Sequence, residues 1–168
     1  MPEKETLERA HEDAQEGKSP STQAGEFVRE EMHHVREGKH GARSTKQAIA
    51  IGLSKARRAG VKLRPPSGKS ASAKTKKQAG RDYCKGQSHS QRRTSQTRSR
   101  AVSGALRREG RTAASPRALS KHARTTARKR GSSARHHSAM KAVRTKGAVG
   151  RSQSARKAAR TRRAHAGR

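Results

Sequence analysis

Apolar residues are sparse in this chain, yet within the first 60 positions they recur at helical spacing in three segments. The first segment, PEKETLERAHEDAQEG, carries a thin apolar stripe of Leu7, Ala10 and Ala14. Pro2 and the acidic first turn favour a helix start, and Gly17 favours a helix end. The pattern predicts a helix with a weakly docked apolar face.

A second helix is predicted in STQAGEFVREEMHHVREGKHG, where apolar residues follow the steps i, i+3, i+4, i+8 and i+11. Ser21 or Thr22 is the expected N-cap, and Gly38 is the expected end. The residues of the apolar face are Ala24, Phe27, Val28, Met32 and Val35.

The third segment, STKQAIAIGLSKARRAGVKLRPP, is the most apolar of the chain. Ser44 and Gln47 fit a capping box, and Gly60 fits the glycine that follows a helix end. Apolar side chains on most sides of the first two turns indicate a helix buried by a neighbour. The expected core is so small that the module needs a partner or a second copy. That core consists of Phe27, Val28, Met32, Val35, Ile49, Ile51 and Leu53.

Composition limits how much of the remaining chain is expected to fold. Apolar residues make up 27% of the 168 residues, and charged residues make up 33%. Such a chain buries too little apolar surface to offset the entropy cost of ordering it. The expected fold class is mainly α plus disorder. It comprises a small helical module of two to three helices (1–63), a disordered basic linker rich in Ser, Lys, Arg and Gln (64–100), and a largely disordered cationic Ala/Arg/Ser arm with short nascent helices (101–168).

An internal repeat of 16 residues lies in the cationic arm. GSSARHHSAMKAVRTK at 131–146 aligns without gaps on GAVGRSQSARKAARTR at 147–162, with eight identical positions. Ala, Arg and Lys favour helix, whereas like charges at neighbouring helical positions oppose it. We therefore expect helical pieces that form once phosphates neutralise the cations. The predicted breaks are Gly110, Gly131, Gly147 and Gly150.

The charge is distributed unevenly along the chain. There are 43 Lys and Arg against 12 Asp and Glu, a net charge of +31. Residues 1–40 hold ten of the acids and six of the cations, so the rest holds 37 cations and two acids. Such a body is typical of a protein that binds a polyanion, chiefly nucleic acid. An anionic membrane surface and a merely solubilising tail are the alternatives.

Phosphate contacts are predicted throughout the basic region, because cations separated by small residues can follow a nucleic-acid backbone. Tyr83 is the only aromatic residue there, so stacking on single-stranded bases is not expected. The predicted nucleic-acid-binding residues are Lys55, Arg57, Arg58, Arg92, Arg93, Arg107, Arg108, Arg111, Arg124, Arg128, Lys129, Arg130, Arg144, Lys146, Arg160, Arg162 and Arg163.

No pattern indicates that the protein reads a base sequence. Zinc-finger spacing is lacking, and phosphate contacts carry no sequence information. The second and third helices could imitate a helix-turn-helix. Their connection, GKHGAR, is longer than the usual three or four residues.

Candidate catalytic and metal-binding groups are isolated in the sequence. The pairs His33–His34 and His136–His137 point in different directions on a helix, and no Cys or acidic cluster completes a site. Cys84 is the single cysteine and has no neighbouring base. No phosphate-binding Gly loop, carboxylate pair or triad is apparent. We expect neither an enzyme nor a cofactor.

Residues 18–60, KSPSTQAGEFVREEMHHVREGKHGARSTKQAIAIGLSKARRAG, resemble an uncharacterised bacterial family with a KQAIAI-x-L-S-x-A-R motif. Some members of that family are labelled plasmid stabilisation or DNA-binding proteins. The resemblance implies a discrete module. The cationic body is similar in composition to bacterial proteins that resemble linker-histone tails, although it is richer in Arg than in Lys and poor in Pro.

The expected function is sequence-nonspecific binding of duplex DNA by the arm, in a histone-like, nucleoid-associated or DNA-compacting role. Residues 1–63 would supply self-association or a protein partner. Two alternatives stay open: a protein-interaction module in plasmid maintenance or a toxin–antitoxin system, and binding to structured RNA. No apolar run approaches the roughly 20 residues of a membrane span, and the N-terminus lacks an apolar signal region. A cytoplasmic location at the bacterial nucleoid is therefore expected.

Overall fold

The computed structural model describes residues 2–68, 71–88 and 95–166, which are mostly helical. They form two compact units, Met1–His122 and Ala123–Arg168. None of the described helices is both long and apolar enough to cross a membrane. The elements are α1 (Lys4–Gln15), α2 (Pro20–Glu37), α3 (Thr45–Arg58), α4 (Ala73–Gln87), α5 (Gln96–Arg108), a 3-10 turn (Thr112–Ala114) and α6 (Pro116–Ala166).

The expected fold class is wrong for the residues after the N-terminal module. Helices α4, α5 and α6 occupy most of the segment that was expected to be a disordered linker and arm. Composition did not predict α4 because a composition argument depends on the number of large apolar side chains, whereas α4 packs against α3 through small and polar ones. Helix α6 is rich in Ala, Arg and Lys, which have high helix propensities. Its backbone hydrogen bonds join residues close in the sequence, so they need no distant partner.

The first unit is organised around an antiparallel hairpin of α2 and α3. Phe27 near the start of α2 packs in a cluster with Ala56 near the end of α3. Val35 near the end of α2 packs in a second cluster with Ala48 near the start of α3. Helix α1 packs against α2, and α4 packs against α3. Two helices therefore carry the core, as the apolar patterns predict.

Alanine supplies most of the buried apolar positions among the described residues. Phe27, Met32 and Val35 are buried as expected, whereas Ile51 is only partly buried and lies outside both clusters. Small side chains let helices approach closely, so a core can form without large apolar residues. The buried alanines are Ala10, Ala24, Ala42, Ala48, Ala56, Ala79, Ala113 and Ala114.

Local signals set the helix ends of the first unit. Ser44 Oγ accepts a hydrogen bond from the Gln47 N–H at 3.3 Å, which confirms the predicted cap of α3. Gly38 has a left-handed conformation at the end of α2, and Gly60 has a positive φ just after α3. The predicted cap of α2, Ser21 or Thr22, is wrong by two or three residues, because α2 begins at Pro20 with Ser19 as its N-cap.

Helix α4 is held on α3 by one buried carboxylate and one close backbone contact. Asp82 accepts hydrogen bonds from Ser54 Oγ at 2.6 Å and Arg58 Nε at 2.7 Å. A Cβ on Gly86 would lie 1.9 Å from the Arg57 carbonyl oxygen, so this position of α4 has room only for hydrogen.

Backbone bonds attach the end of α5 to the loop between α2 and α3. The Gly41 N–H donates to Leu106 O at 2.8 Å, and the Ala42 N–H donates to Gly110 O at 3.0 Å. Thr45 Oγ1 donates to a carbonyl of the 3-10 turn at 2.7 Å. Gly110, a predicted break, separates α5 from this turn.

Candidate functional site

The second unit displays cations without compensating acids. The sequence after Glu109 contains no Asp or Glu. Every Lys and Arg from residue 123 to 163 is exposed, and in this described range none forms an ion pair. These cations are Arg124, Arg128, Lys129, Arg130, Arg135, Lys141, Arg144, Lys146, Arg151, Arg156, Lys157, Arg160, Arg162 and Arg163.

The sequence repeat is also a repeat of backbone geometry. Gly131 has φ 75° and ψ 172°, and Gly147 has φ 61° and ψ −173°, so α6 is interrupted at matching repeat positions. Glycine adopts such angles almost alone. Arg135 Nε donates to Gly131 O and Arg151 Nε to Gly147 O, both at 3.1 Å. The breaks predicted at these two glycines are confirmed, whereas Gly150 lies within a helical piece.

Two matching pairs of hydroxyl groups in the repeat form hydrogen bonds within the helix. Ser138 and Ser154 each donate to the carbonyl four residues earlier, at 2.9 and 2.8 Å. Thr145 and Thr161 do the same at 2.9 and 3.0 Å. The two copies therefore share their turns, these hydroxyl contacts and the positions of four cations, whereas Arg156 replaces Met140 in the second copy.

Cations occupy neighbouring positions on the helical pieces of the second unit. Arg156, Arg160 and Arg163 follow the spacing i, i+4, i+7, which places them on one face. Arg124 and Arg128 are four residues apart. Like charges at such spacings destabilise an isolated helix by about 0.2–0.5 kcal/mol per pair. Bound anions would relieve this repulsion.

Three of the predicted phosphate contacts in α3 already have partners within the protein. Lys55 Nζ lies 2.8 Å from Glu31 Oε2. Arg57 is buried and donates to a backbone carbonyl, and burial lowers its pKa. Arg58 pairs with Asp82, although half of its side chain is exposed. These side chains hold the first unit together in the structure.

The other predicted contacts of the first unit are placed differently. Arg107, Arg108 and Arg111 are exposed near the end of α5. Arg92 and Arg93 lie outside the described residues. Sequence reasoning left out five exposed cations of the second unit. The lack of acids in the whole region is a simple signal that would have found them. These five cations are Arg135, Lys141, Arg151, Arg156 and Lys157.

A second site, which we term the His–Glu cluster, consists of Glu31 and His34 on α2 and His40 in the loop after α2. One carboxylate oxygen and one nitrogen from each ring lie within 4.8 Å of one another. Sequence reasoning paired His34 only with His33 and missed this arrangement. The signal available was Glu31-x-x-His34, which shares one helix face, followed by His40 beyond Gly38.

Glu3 lies on the outer side of the His–Glu cluster. Its Oε1 is 2.9 Å from Lys39 Nζ and 2.9 Å from His34 Nε2. The hydrogen bond from Lys39, and next that from His34, lower the pKa of Glu3 to about 2. Glu3 therefore remains ionised beside His34 through the ordinary pH range.

Comparison with known proteins finds a match to one family, and the function of that family is unknown. Residues 19–69 match a family of unknown function (DUF6496). The match covers the α2–α3 hairpin and the segment that follows it, and it does not reach the second unit. No curated protein and no solved structure matches the chain. The similarity of the hairpin to an uncharacterised family is thereby confirmed.

Proposed function

We propose that the second unit binds duplex DNA through its phosphates, without sequence preference, in a binding rather than a catalytic role. One observation supports the proposal above all others. Residues 123–163 expose fourteen Lys and Arg side chains with no acid among them. DNA carries one charge per roughly 1.7 Å of axis, and cations that neutralise it release condensed counterions.

The helical form of the second unit suits this partner. An α-helix is about 10–12 Å wide, and the major groove of DNA is about 12 Å wide. The turns at Gly131 and Gly147 divide the cations among short helical pieces. Each piece can therefore follow the phosphates separately. Binding relieves the like-charge repulsion, so phosphate contacts and helix stability support each other.

The first unit has a different part in this proposal. Lys55, Arg57 and Arg58 hold α3 against its neighbours, so we assign the phosphate contacts to the second unit and to the exposed end of α5. The α2–α3 hairpin would provide self-association or a partner contact. A protein with these two parts would bridge or compact DNA as a nucleoid-associated component.

The test measures affinity for a duplex of mixed sequence against salt concentration, with the full chain. One variant carries Arg124→Gln, Arg128→Gln, Arg144→Gln and Arg160→Gln. The control variant carries Lys46→Gln, Lys62→Gln, Lys74→Gln and Lys77→Gln, which remove the same charge from exposed positions of the first unit.

We expect the second-unit variant to lower the slope of log affinity against log salt by up to ~3.6, about 0.9 for each lost contact. The control should lower it far less. Equal losses in the two variants would show that binding follows total charge, and the proposal would be wrong. Tighter binding to structured RNA than to duplex DNA at fixed salt would favour the alternative partner.

A further inference from the structure

Glu31 presents a fully buried carboxylate whose oxygens have close nitrogen neighbours but receive no hydrogen bond. Its side chain is 0% exposed, and neither of its oxygens receives a hydrogen bond. Two nitrogens nevertheless lie close: His40 Nε2 is 3.1 Å from Oε1, and Lys55 Nζ is 2.8 Å from Oε2. The distances are those of ion pairs, but the donors are not directed at the oxygens. The Lys55 ammonium compensates the charge at Oε2, whereas Oε1 has only the His40 ring beside it.

The hydrogen bond on the other side of His40 decides which nitrogen carries its proton. His40 Nδ1 lies 3.1 Å from the Gly41 carbonyl oxygen. A carbonyl can only accept, so Nδ1 must donate. In the neutral ring, Nε2 then holds a lone pair that faces Oε1 of Glu31. Two electron-rich atoms at 3.1 Å repel each other unless a proton or a metal ion joins them.

We propose that Glu31, His34 and His40 bind a divalent transition-metal ion, with Zn²⁺ the best fit. Imidazole and carboxylate are zinc ligands, with bonds of about 2.0–2.2 Å in tetrahedral geometry. Such bonds place neighbouring ligand atoms roughly 3.3 Å apart, close to the 3.1 Å between His40 Nε2 and Glu31 Oε1. A nitrogen of His34 lies within 4.8 Å of both, so rotation of its ring toward them would complete three ligands, in competition with the contact between His34 Nε2 and Glu3. Water takes the fourth position.

The surroundings favour a divalent cation at this place in an otherwise cationic chain. Glu31 offers Oε1, while Oε2 stays beside Lys55. The bond from His40 to the Gly41 carbonyl is the kind of outer contact that orients a ligating histidine. His34 also lines a surface depression, together with Glu3 and Glu30. The three carboxylates around the site outnumber the two ammonium groups: Glu3, Glu30 and Glu31 against Lys39 and Lys55.

The ion would have a structural effect within the first unit. It would join α2 to the loop that carries His40. That loop holds the end of α5 through Gly41 and Ala42. We therefore expect metal binding to slow hydrogen exchange at these two backbone amides.

The experiment uses the untagged full chain after treatment with a chelator, with Zn²⁺ as the probe in calorimetry and Co²⁺ as the probe in visible absorption. The variants are His40→Gln and Glu31→Gln, and circular dichroism checks that each retains its helices. His33→Gln is the matched control, since His33 is exposed beside His34 on α2. A second control, His136→Gln with His137→Gln, removes the exposed pair of the second unit.

We expect one Zn²⁺ per chain, with a ligand-field absorption band for Co²⁺. Each of His40→Gln and Glu31→Gln should weaken binding by at least ~10-fold, because loss of a ligand costs no less than loss of an outer-shell partner. The two control variants should bind as the unchanged chain does. If His40→Gln binds as tightly as His33→Gln, the proposal is overturned. Protons on both ring nitrogens of His40 in the presence of excess Zn²⁺, seen by nitrogen NMR, would overturn it too, because the proton would then hold the site.

Discussion

The contact between α2 and α3 depends on the absence of a side chain at Gly52. A Cβ there would lie 2.7 Å from Val28 Cα and 3.0 Å from Phe27 O. Both neighbours are backbone atoms, which cannot turn aside as a side chain can. Phe27, the largest fully buried side chain, belongs to this crossing, so a displacement of the backbone would reach the core.

Gly52→Ala should therefore destabilise the first unit by about 1–3 kcal/mol through overpacking. Gly25→Ala is the control, because Gly25 is exposed on α2 and an added Cβ would meet no atom within 4 Å. That control should stabilise the helix by roughly 0.5–1 kcal/mol. Urea unfolding followed by the fluorescence of Tyr83, which lies in α4, measures both. Equal effects of the same sign would contradict the close approach.

Among the elements, α6 shows how a helix can form without a buried face. Its residues 123–163 are almost all exposed, and its hydroxyls and several Arg side chains bond to carbonyls four residues earlier. Interruption occurs only where glycine has a positive φ, at Gly131 and Gly147. Local propensity determines the helical pieces, and one residue of each repeat determines the breaks.

Gly147→Ala should remove the second break. Alanine at φ 61° and ψ −173° is strained by about 1–3 kcal/mol, so the helix is expected to continue through this position. Carbon chemical shifts of the flanking residues measured by NMR should become helical. Gly150→Ala is the control, because this position is already helical. A break that persists in the first variant would show that other residues impose it.

For the whole molecule, the two units differ in how their charges are compensated. In the first unit, acids pair with cations, as Glu3 does with Lys39 and Asp82 with Arg58. In the described part of the second unit, residues 123–163 hold cations alone. The first unit holds 28 Lys and Arg against 12 acids, so salt screens both attraction and repulsion there, whereas it screens repulsion alone in the second unit.

Raising the salt concentration from about 0.01 M to 0.15 M shortens the Debye length from roughly 30 Å to 8 Å. Hydrogen exchange should then slow more in the second unit than in the first. Mass spectrometry of peptides from each unit reads both effects in one sample. Arg156→Gln with Arg160→Gln should reduce the response of the peptide that contains them. An equal change in the two units would contradict this account.

Local features of the sequence determined where the first three helices lie and where several elements end. Ser44 caps α3, Gly60 follows it, and Gly131 and Gly147 interrupt α6, as predicted, whereas the Gln47 side chain accepts from the Arg43 N–H instead of closing the capping box on Ser44. These signals act over a few residues, so no knowledge of distant partners is needed. The uneven charge is likewise a property of the chain itself.

Only the tertiary structure decided which weakly apolar segments pack and which polar residues meet. Asp82 reaches Ser54 across 28 positions, and Thr45 reaches the 3-10 turn across 68. Glu31 meets His40 because a glycine turns the chain back at the end of α2. Composition gives only the number of each residue type, and periodicity relates only residues close in the sequence. Neither can therefore predict contacts between residues that are far apart in the sequence. Burial of alanines and pairing of charges require the folded chain, because they depend on which surfaces come into contact.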